Sequence, residues 1–265
     1  LKYLRKIWRD NTEEERLLGV SLTGIMDSSL LNNAYDSTLP KRLNELKNTA
    51  ILVNSEFSKK LRINKSTAIT CVKPSGTVSQ LVNSASGIHA RHSSYYIRTV
   101  RGDKKDPLTK FMVDKGVPYE DDVTQPESTT VFSFPVESPK KAVTRNEGRA
   151  IEQLNLWLVY QKHWCEHKPS VTITVRENEW LEVGAWVYEN FDCVAGISFL
   201  PRSNHIYKQA PYQECSKKEY VELKNKMPSK LDWGALIGYE VEDTTRGGQE
   251  LACVADSCEI VDIGA

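Results

Sequence analysis

The sequence predicts an α/β fold in which strands alternate with helices and pair in parallel. Three observations carry that reading. Between residues 146 and 226, segments with apolar residues at helical spacing alternate with short β-branched runs. The connections between them are short, and strand–helix–strand units of this kind pair in parallel through a right-handed crossover. The chain of 265 residues is also long enough to bury a sizeable core, as one large domain or two small ones.

The charged opening segment, residues 1–10, is expected to be helical. A further helix is expected over 13–34, where Leu17, Leu18, Leu22, Ile25 and Met26 recur at roughly helical spacing. The next helix, 41–58, is entered after Pro40. Residues 66–72 alternate and are rich in β-branched types, which predicts a strand, and 95–100 predicts another. Residues 129–136 predict a third, and Pro135 confines it to a strand end or edge because proline has no N–H for a ladder. Residues 146–167 then read as a long amphipathic helix through Ile151, Leu154, Leu158, Tyr160 and Trp164. A strand over 170–175, a helix over 179–189, a strand over 194–200 and a helix over 217–226 follow. These place the folded portion in residues 1–240. Residues 241–265 are acidic, contain glycine and lack periodicity, and are expected to form a flexible tail.

Composition excludes several classes. The 35 basic and 35 acidic residues balance, which argues against a general nucleic-acid binder. No apolar run reaches the roughly 18–20 residues of a membrane span, and no signal peptide opens the chain. Four of the six cysteines are scattered singly, which is unlike a secreted disulfide framework, so the reducing cytoplasm is the expected compartment. The chain begins with Leu1 rather than Met, as expected of a fragment, a processed product or one piece of a split protein.

Two stretches carry chemistry. Lys73-Pro74-Ser75-Gly76-Thr77 lies between a strand pattern and a helix pattern. Such a turn exposes helix N–H groups that have no intrahelical partner, at the electropositive end of the dipole. Ser75 and Thr77 add hydroxyls, Gly76 admits close approach to the backbone, and Pro74 stiffens the entry without removing a needed donor. Phosphate could bind there. The spacing is not that of a Walker loop, and the same residues serve ordinary turns and caps, so both readings stand on residue chemistry alone. The second stretch is Cys253-Val254-Ala255-Asp256-Ser257-Cys258, whose four intervening residues let the two sulfurs meet. A dithiol on a mobile tail can exchange with a disulfide elsewhere. A zinc site would need two more ligands, and none is near.

Other candidates read as structural. His163 and His167 stand at i, i+4, but the zincin pattern fails and histidine suits a helix C-terminus. His89 and His92 flank a loop and read as polar surface. Arg98 and Arg101 are three apart, so an ideal strand cannot aim both into one pocket. No metal site is expected.

The residues also carry a resemblance. TCVKPSGTVSQLVNSASGIHARHSSYYIRTVR (70–101) resembles the substrate-phosphate loop and following strand of the adenosylcobalamin-dependent, class II ribonucleotide reductases. LLGVSLTGIMDSSLL (17–31) resembles the helix that follows the family's active-site cysteine strands. AIEQLNLWLVYQKHWCEHKPSVTITV and ISFLPRSNHIYKQAPYQE resemble later elements, and CVADSCEI resembles the C-terminal reducing dithiol. The matches keep the family's order over nearly the whole chain and look most like the monomeric type acting on ribonucleoside triphosphates.

The resemblance implies the C-terminal part of a ten-stranded α/β barrel. It implies that Pro74, Ser75, Gly76 and Thr77 bind substrate phosphates. It implies that Cys253 and Cys258 reduce an active-site disulfide after each turnover and are themselves reduced by thioredoxin or a similar donor. Adenosylcobalamin would generate a thiyl radical, which removes the ribose 3′-hydrogen before the 2′-hydroxyl leaves as water. In the family the radical cysteine precedes the segment matched by 17–31. Sixteen residues precede that segment here, and none is cysteine. The radical cysteine is therefore expected on an N-terminal reductase half, together with much of the cobalamin surface, and this chain alone is expected to be inactive. Two rivals follow from the same residues. One is a glycyl-radical relative, echoed by Arg246-Gly247-Gly248; the other is a non-catalytic half barrel that binds nucleotides or a partner.

Overall fold

The computed structural model describes residues 5–202 and 207–240. In chain order the elements are α1 (Lys6–Glu15), β1 (Val20–Ser21), α2 (Leu39–Leu61), β2 (Thr70–Cys71), α3 (Val78–Leu81), β3 (Tyr95–Asp103), α4 (Pro107–Asp114), β4 (Tyr119–Asp121), β5 (Thr129–Glu137), α5 (Ala150–His163), β6 (Thr172–Val175), α6 (Trp180–Glu189), β7 (Ser198–Pro201), β8 (Tyr212–Glu214) and α7 (Lys217–Lys226). The fold is mixed α/β. The chain divides into two compact units, one from residues 1–91 and 141–202, the other from 92–140 and 203–265.

The first unit has the expected parallel pairing. β1 runs parallel to β2, with Val20 opposite Thr70 and Ser21 opposite Cys71. β6 runs parallel to β7, from Thr172 opposite Ser198 to Val175 opposite Pro201. The core gathers Leu39 and Leu43 of α2, Leu154, Leu156, Trp157 and Tyr160 of α5, and Val72, Ile88, Ile173 and Val175 from strands and loops. Its aromatic polar atoms are all satisfied, as burial requires. Trp157 Nε1 donates to the Pro169 carbonyl (2.9 Å), Trp164 Nε1 to that of Cys71 (2.7 Å) and Tyr160 Oη to that of Leu31 (3.0 Å). Arg91 and Arg145 form a backbone bridge around Thr144. The Arg91 N–H reaches the Val143 carbonyl and the Arg145 N–H reaches the Arg91 carbonyl, both at 2.9 Å.

The second unit is a four-stranded antiparallel sheet in the order β4-β5-β3-β8. β3 and β5 pair along their full lengths, from Tyr95 opposite Glu137 to Asp103 opposite Thr129. Tyr220 of α7 packs on Tyr95, with ring centroids 5.1 Å apart. Phe111 of α4 lies against Trp233 and Tyr239.

The helix expected over 13–34 does not form. α1 ends at Glu15, with Arg16 in the left-handed region, and the chain then extends into β1. Gly24, at φ +70°, opens a 3-10 turn over Ile25–Asp27. The apolar spacing that suggested a helix reflects an exposed strand, with Leu17, Leu18 and Val20 open, followed by a tight turn that buries Ile25 and Met26. Residues 66–72 shorten to the two residues of β2. Pro135 lies inside β5, which β4 and β3 flank. It sits beyond the Thr130–Phe132 stretch that β4 covers, so on that side the strand is locally an edge. The remaining expected helices and strands form: α2, β3 and β5 run longer than expected, α5, β6, α6 and β7 shorter, and α7 keeps its expected bounds. α4, β4 and β8 were not expected.

Candidate functional site

The turn between β2 and α3 is the candidate phosphate site, and it lies in the first unit. β2 ends at Cys71, Val72 is buried, and Lys73 leaves the core with its N–H on the Ser21 hydroxyl (3.0 Å). α3 is only one turn long. Ser79 Oγ donates back to the Ser75 carbonyl (2.5 Å), closing that turn. The Ser75 N–H is already engaged by the Ser86 hydroxyl (2.8 Å). The N–H groups of Gly76, Thr77 and Val78 find no acceptor among the described residues. Gly76 has no left-handed φ, and a Cβ there would meet nothing within 4 Å. The fold therefore does not require glycine at 76; an approaching ligand would.

A second loop, 83–87, lies beside the first and is fixed at several points. Gly87 has φ +52°, and a Cβ there would come within 3.1 Å of the Lys73 carbonyl. Asp27 Oδ2 accepts the Ala85 N–H (2.7 Å). Thr23 Oγ1 donates to the Ala85 carbonyl (3.0 Å) and accepts the Gly87 N–H (3.1 Å). Arg91, with a side chain only 4 % exposed, grips Asp27 with two nitrogens (2.9 and 2.7 Å) and holds Asn83 by its amide oxygen and carbonyl. His89 Nε2 accepts the Thr172 N–H (3.0 Å), which places the ring proton on Nδ1, facing the Ser86 carbonyl (3.0 Å). Burial lowers the His89 pKa, with the Ser86 hydrogen bond opposing, so the neutral ring that this geometry needs is favoured.

The other candidates separate. His163 is the last residue of α5 and faces Asn44 (3.1 Å), whereas His167 lies beyond the helix and reaches the Leu18 carbonyl (2.7 Å). No cluster among the described residues has the makings of a metal site. Arg98 lies over the Tyr212 ring at 4.5 Å, and Arg101 pairs with Asp122 at 2.7 Å, so the two serve different partners in the second unit. Burial pushes the Cys165 thiol up to about 12, which leaves it unreactive. Cys253 and Cys258 lie outside the described residues. Thr23, Asp27, Ser86 and Arg91 were not expected at the site. Asp27 stood inside an apolar segment read as helix, and its partners lie some 60 residues away.

No family model matches the chain. The adenosylcobalamin-dependent ribonucleoside-triphosphate reductase of Euglena gracilis is 30% identical over 257 residues, covering 95% of this chain and 35% of its own length. The chain is a distant relative of the class II ribonucleotide reductases. The probable reductase of the same description from Dictyostelium discoideum is 31% identical over 269 residues, covering 96% of this chain and 33% of its own. A solved B-12 dependent (class II) ribonucleotide reductase superimposes with a TM-score of 0.77 at 24% identity, covering 91% of this chain and 37% of that one, and so shares the fold. The chain spans about a third of the length of the curated reductases it matches.

Proposed function

We propose that this chain is the substrate-anchoring part of an adenosylcobalamin-dependent reductase that converts ribonucleoside triphosphates to 2′-deoxyribonucleotides. The observation that carries the reading is the loop at 73–77. It falls within a similarity to such reductases that runs along 95% of the chain, and it leaves three neighbouring amides open. Pro74, Ser75, Gly76 and Thr77 hold the substrate phosphates, with the Gly76 and Thr77 amides and the Ser75 and Thr77 hydroxyls as donors. Anchoring the phosphates places the ribose. A misplacement of about 1 Å can cost roughly 100-fold in rate.

The thiyl cysteine comes from an N-terminal reductase half, with which this chain completes a ten-stranded barrel. Two features support that partner. β1 has β2 on one side and no strand on the other among the described residues. Beside it lies an apolar groove of about 690 Å³, lined by Leu17, Leu18, Val20, Phe57 and Leu61. An open strand edge next to exposed apolar surface is a site for added structure.

Adenosylcobalamin serves the assembled enzyme as its radical source. A corrin with its amide side chains needs a broad polar cleft, and the groove beside β1 exposes mostly apolar surface, so that groove does not fit the cofactor. Each turnover oxidises two thiols to a disulfide. Cys253 and Cys258 return the two electrons by thiol–disulfide exchange and become a disulfide in turn, which thioredoxin or a similar dithiol reduces. Among the described residues no helix is long and apolar enough to cross a membrane. Free thiols and a thioredoxin donor fit the cytoplasm.

The test is reconstitution with an N-terminal reductase half, adenosylcobalamin and thioredoxin. Activity is expected only in the mixture. Gly76→Asp, which puts a carboxylate where phosphate sits, is expected to raise KM sharply. An unchanged KM refutes the phosphate assignment, and a mixture without turnover leaves the non-catalytic half barrel as the better reading.

A further inference from the structure

The loop 83–87 is held from several sides, and it passes that rigidity to the phosphate loop through one residue. Asp27, Thr23 and His89 fix the backbone of Ala85, Ser86 and Gly87. From this frame the Ser86 hydroxyl accepts the Ser75 N–H at 2.8 Å. Thr23 Oγ1 stands 3.5 Å from Ser75 Oγ. The Thr23 proton is committed to the Ala85 carbonyl, so Ser75 is the donor in that long contact. A hydrogen bond of that length is weak and easily given up.

The two polar groups of Ser75 are therefore in different situations. Its amide is held firmly by a fixed partner. Its hydroxyl is held loosely and can turn to an arriving oxyanion. The neighbouring amides of Gly76, Thr77 and Val78 stay unengaged. A turn without the Ser75 tether would sample other conformations, and binding would be weakened by the fraction of time it spends in them.

We propose that Ser86 is the positioning residue of the phosphate loop: by accepting the Ser75 N–H it sets the turn so that the next three amides face the ligand. The proposal rests on the phosphate reading of residues 73–77. Ser86 itself donates nothing to the phosphate in this role.

The full chain is titrated with inorganic tripolyphosphate by calorimetry, and amide exchange is followed at residues 75–78 in the free protein. In Ser86→Ala the Ser75 amide is expected to exchange about tenfold faster, as follows from losing a single hydrogen bond. Tripolyphosphate affinity is expected to fall about tenfold for the same reason, with the melting temperature lowered by no more than about 2–4 °C. A merely structural serine would lower the melting temperature and leave tripolyphosphate affinity unchanged. Ser86→Thr keeps the hydroxyl and is expected to restore affinity to within about threefold. Wild type that binds tripolyphosphate, with Ser86→Ala binding equally well, overturns the role of Ser86 and spares the phosphate reading. Unchanged Ser75 exchange in Ser86→Ala overturns it too. Wild type that does not bind sinks the phosphate reading, and the purpose assigned to Ser86 goes with it.

Discussion

Two glycines of the candidate site respond oppositely to alanine. At Gly87 the backbone is left-handed, at φ +52°. An L-residue there costs about 1–2 kcal/mol. The new Cβ would also lie 3.1 Å from the Lys73 carbonyl oxygen and 3.3 Å from Val72 Cγ1. The first is backbone and the second a side chain only 1 % exposed, so neither can swing aside. Overpacking of this kind costs about 1–3 kcal/mol. Together the two effects destabilise Gly87→Ala by about 2–5 kcal/mol. At Gly76 the φ is ordinary and nothing lies within 4 Å, so Gly76→Ala stays within about 0.5 kcal/mol of wild type. Urea unfolding followed by tryptophan fluorescence reports the first unit through buried Trp157 and Trp164. With a slope of about 2–3 kcal/mol per molar, the Gly87→Ala midpoint falls by about 0.7–2.5 M. Coincident midpoints for the two variants would refute the reasoning, because they would mean that loop 83–87 does not press on Lys73.

Asp27→Ala leaves the Arg91 guanidinium buried without its carboxylate and is expected to cost about 3–5 kcal/mol in the same assay; a loss below about 1 kcal/mol rules out a fixed pair. Folding lowers the His89 pKa, so the native state binds fewer protons than the unfolded chain. The stability tied to the neutral ring is complete above the ordinary value of 6.5 and is lost as pH falls from there towards the lowered native value. A urea midpoint that is flat on acidification through that window, or a slope that survives His89→Gln, excludes the assignment. In the reconstituted enzyme, Cys253→Ser or Cys258→Ser is expected to allow a single turnover and block thioredoxin-driven cycling, and steady-state rates equal to wild type discard the tail's role.

Elements with strong local signals were legible in the chain. α7 begins where expected because Ser216 and Glu219 form a capping box, each side chain bonding the other's backbone. α2 and α6 carry apolar residues at helical spacing. α4 had a readable start as well: Asp106 caps the Leu108 N–H and Pro107 takes the first helical position. What misled was 17–26, where a two-residue strand and a 3-10 turn imitate a helical repeat, and Gly19 and Gly24 were the counter-signal. At the site, the loop 73–77 was visible because its residues are contiguous. Its supports were not, because Thr23 and Asp27 meet Ala85, Gly87 and Arg91 across about 60 residues. No spacing rule links such residues; the parallel pairing of β1 with β2 and the backbone bonds from the Gly24 and Ile25 N–H groups to the Ala85 and Gly87 carbonyls bring them together.

The bridge at Arg91 has a topological consequence. The chain leaves the first unit after Arg91 and returns at Lys141. There Arg91 is hydrogen-bonded to Val143 and Arg145, so the exit and the re-entry are fastened side by side. The same residue anchors Asp27 and Asn83. The excursion from 92 to 140 thus starts and ends at a clasp whose Arg91 also braces the loop at 83–87. Lengthening or shortening a surface loop within that folded excursion changes little in free energy, since closure entropy grows only with the logarithm of loop length. Insertions in such loops therefore leave the loop at 73–77 and its supports in place.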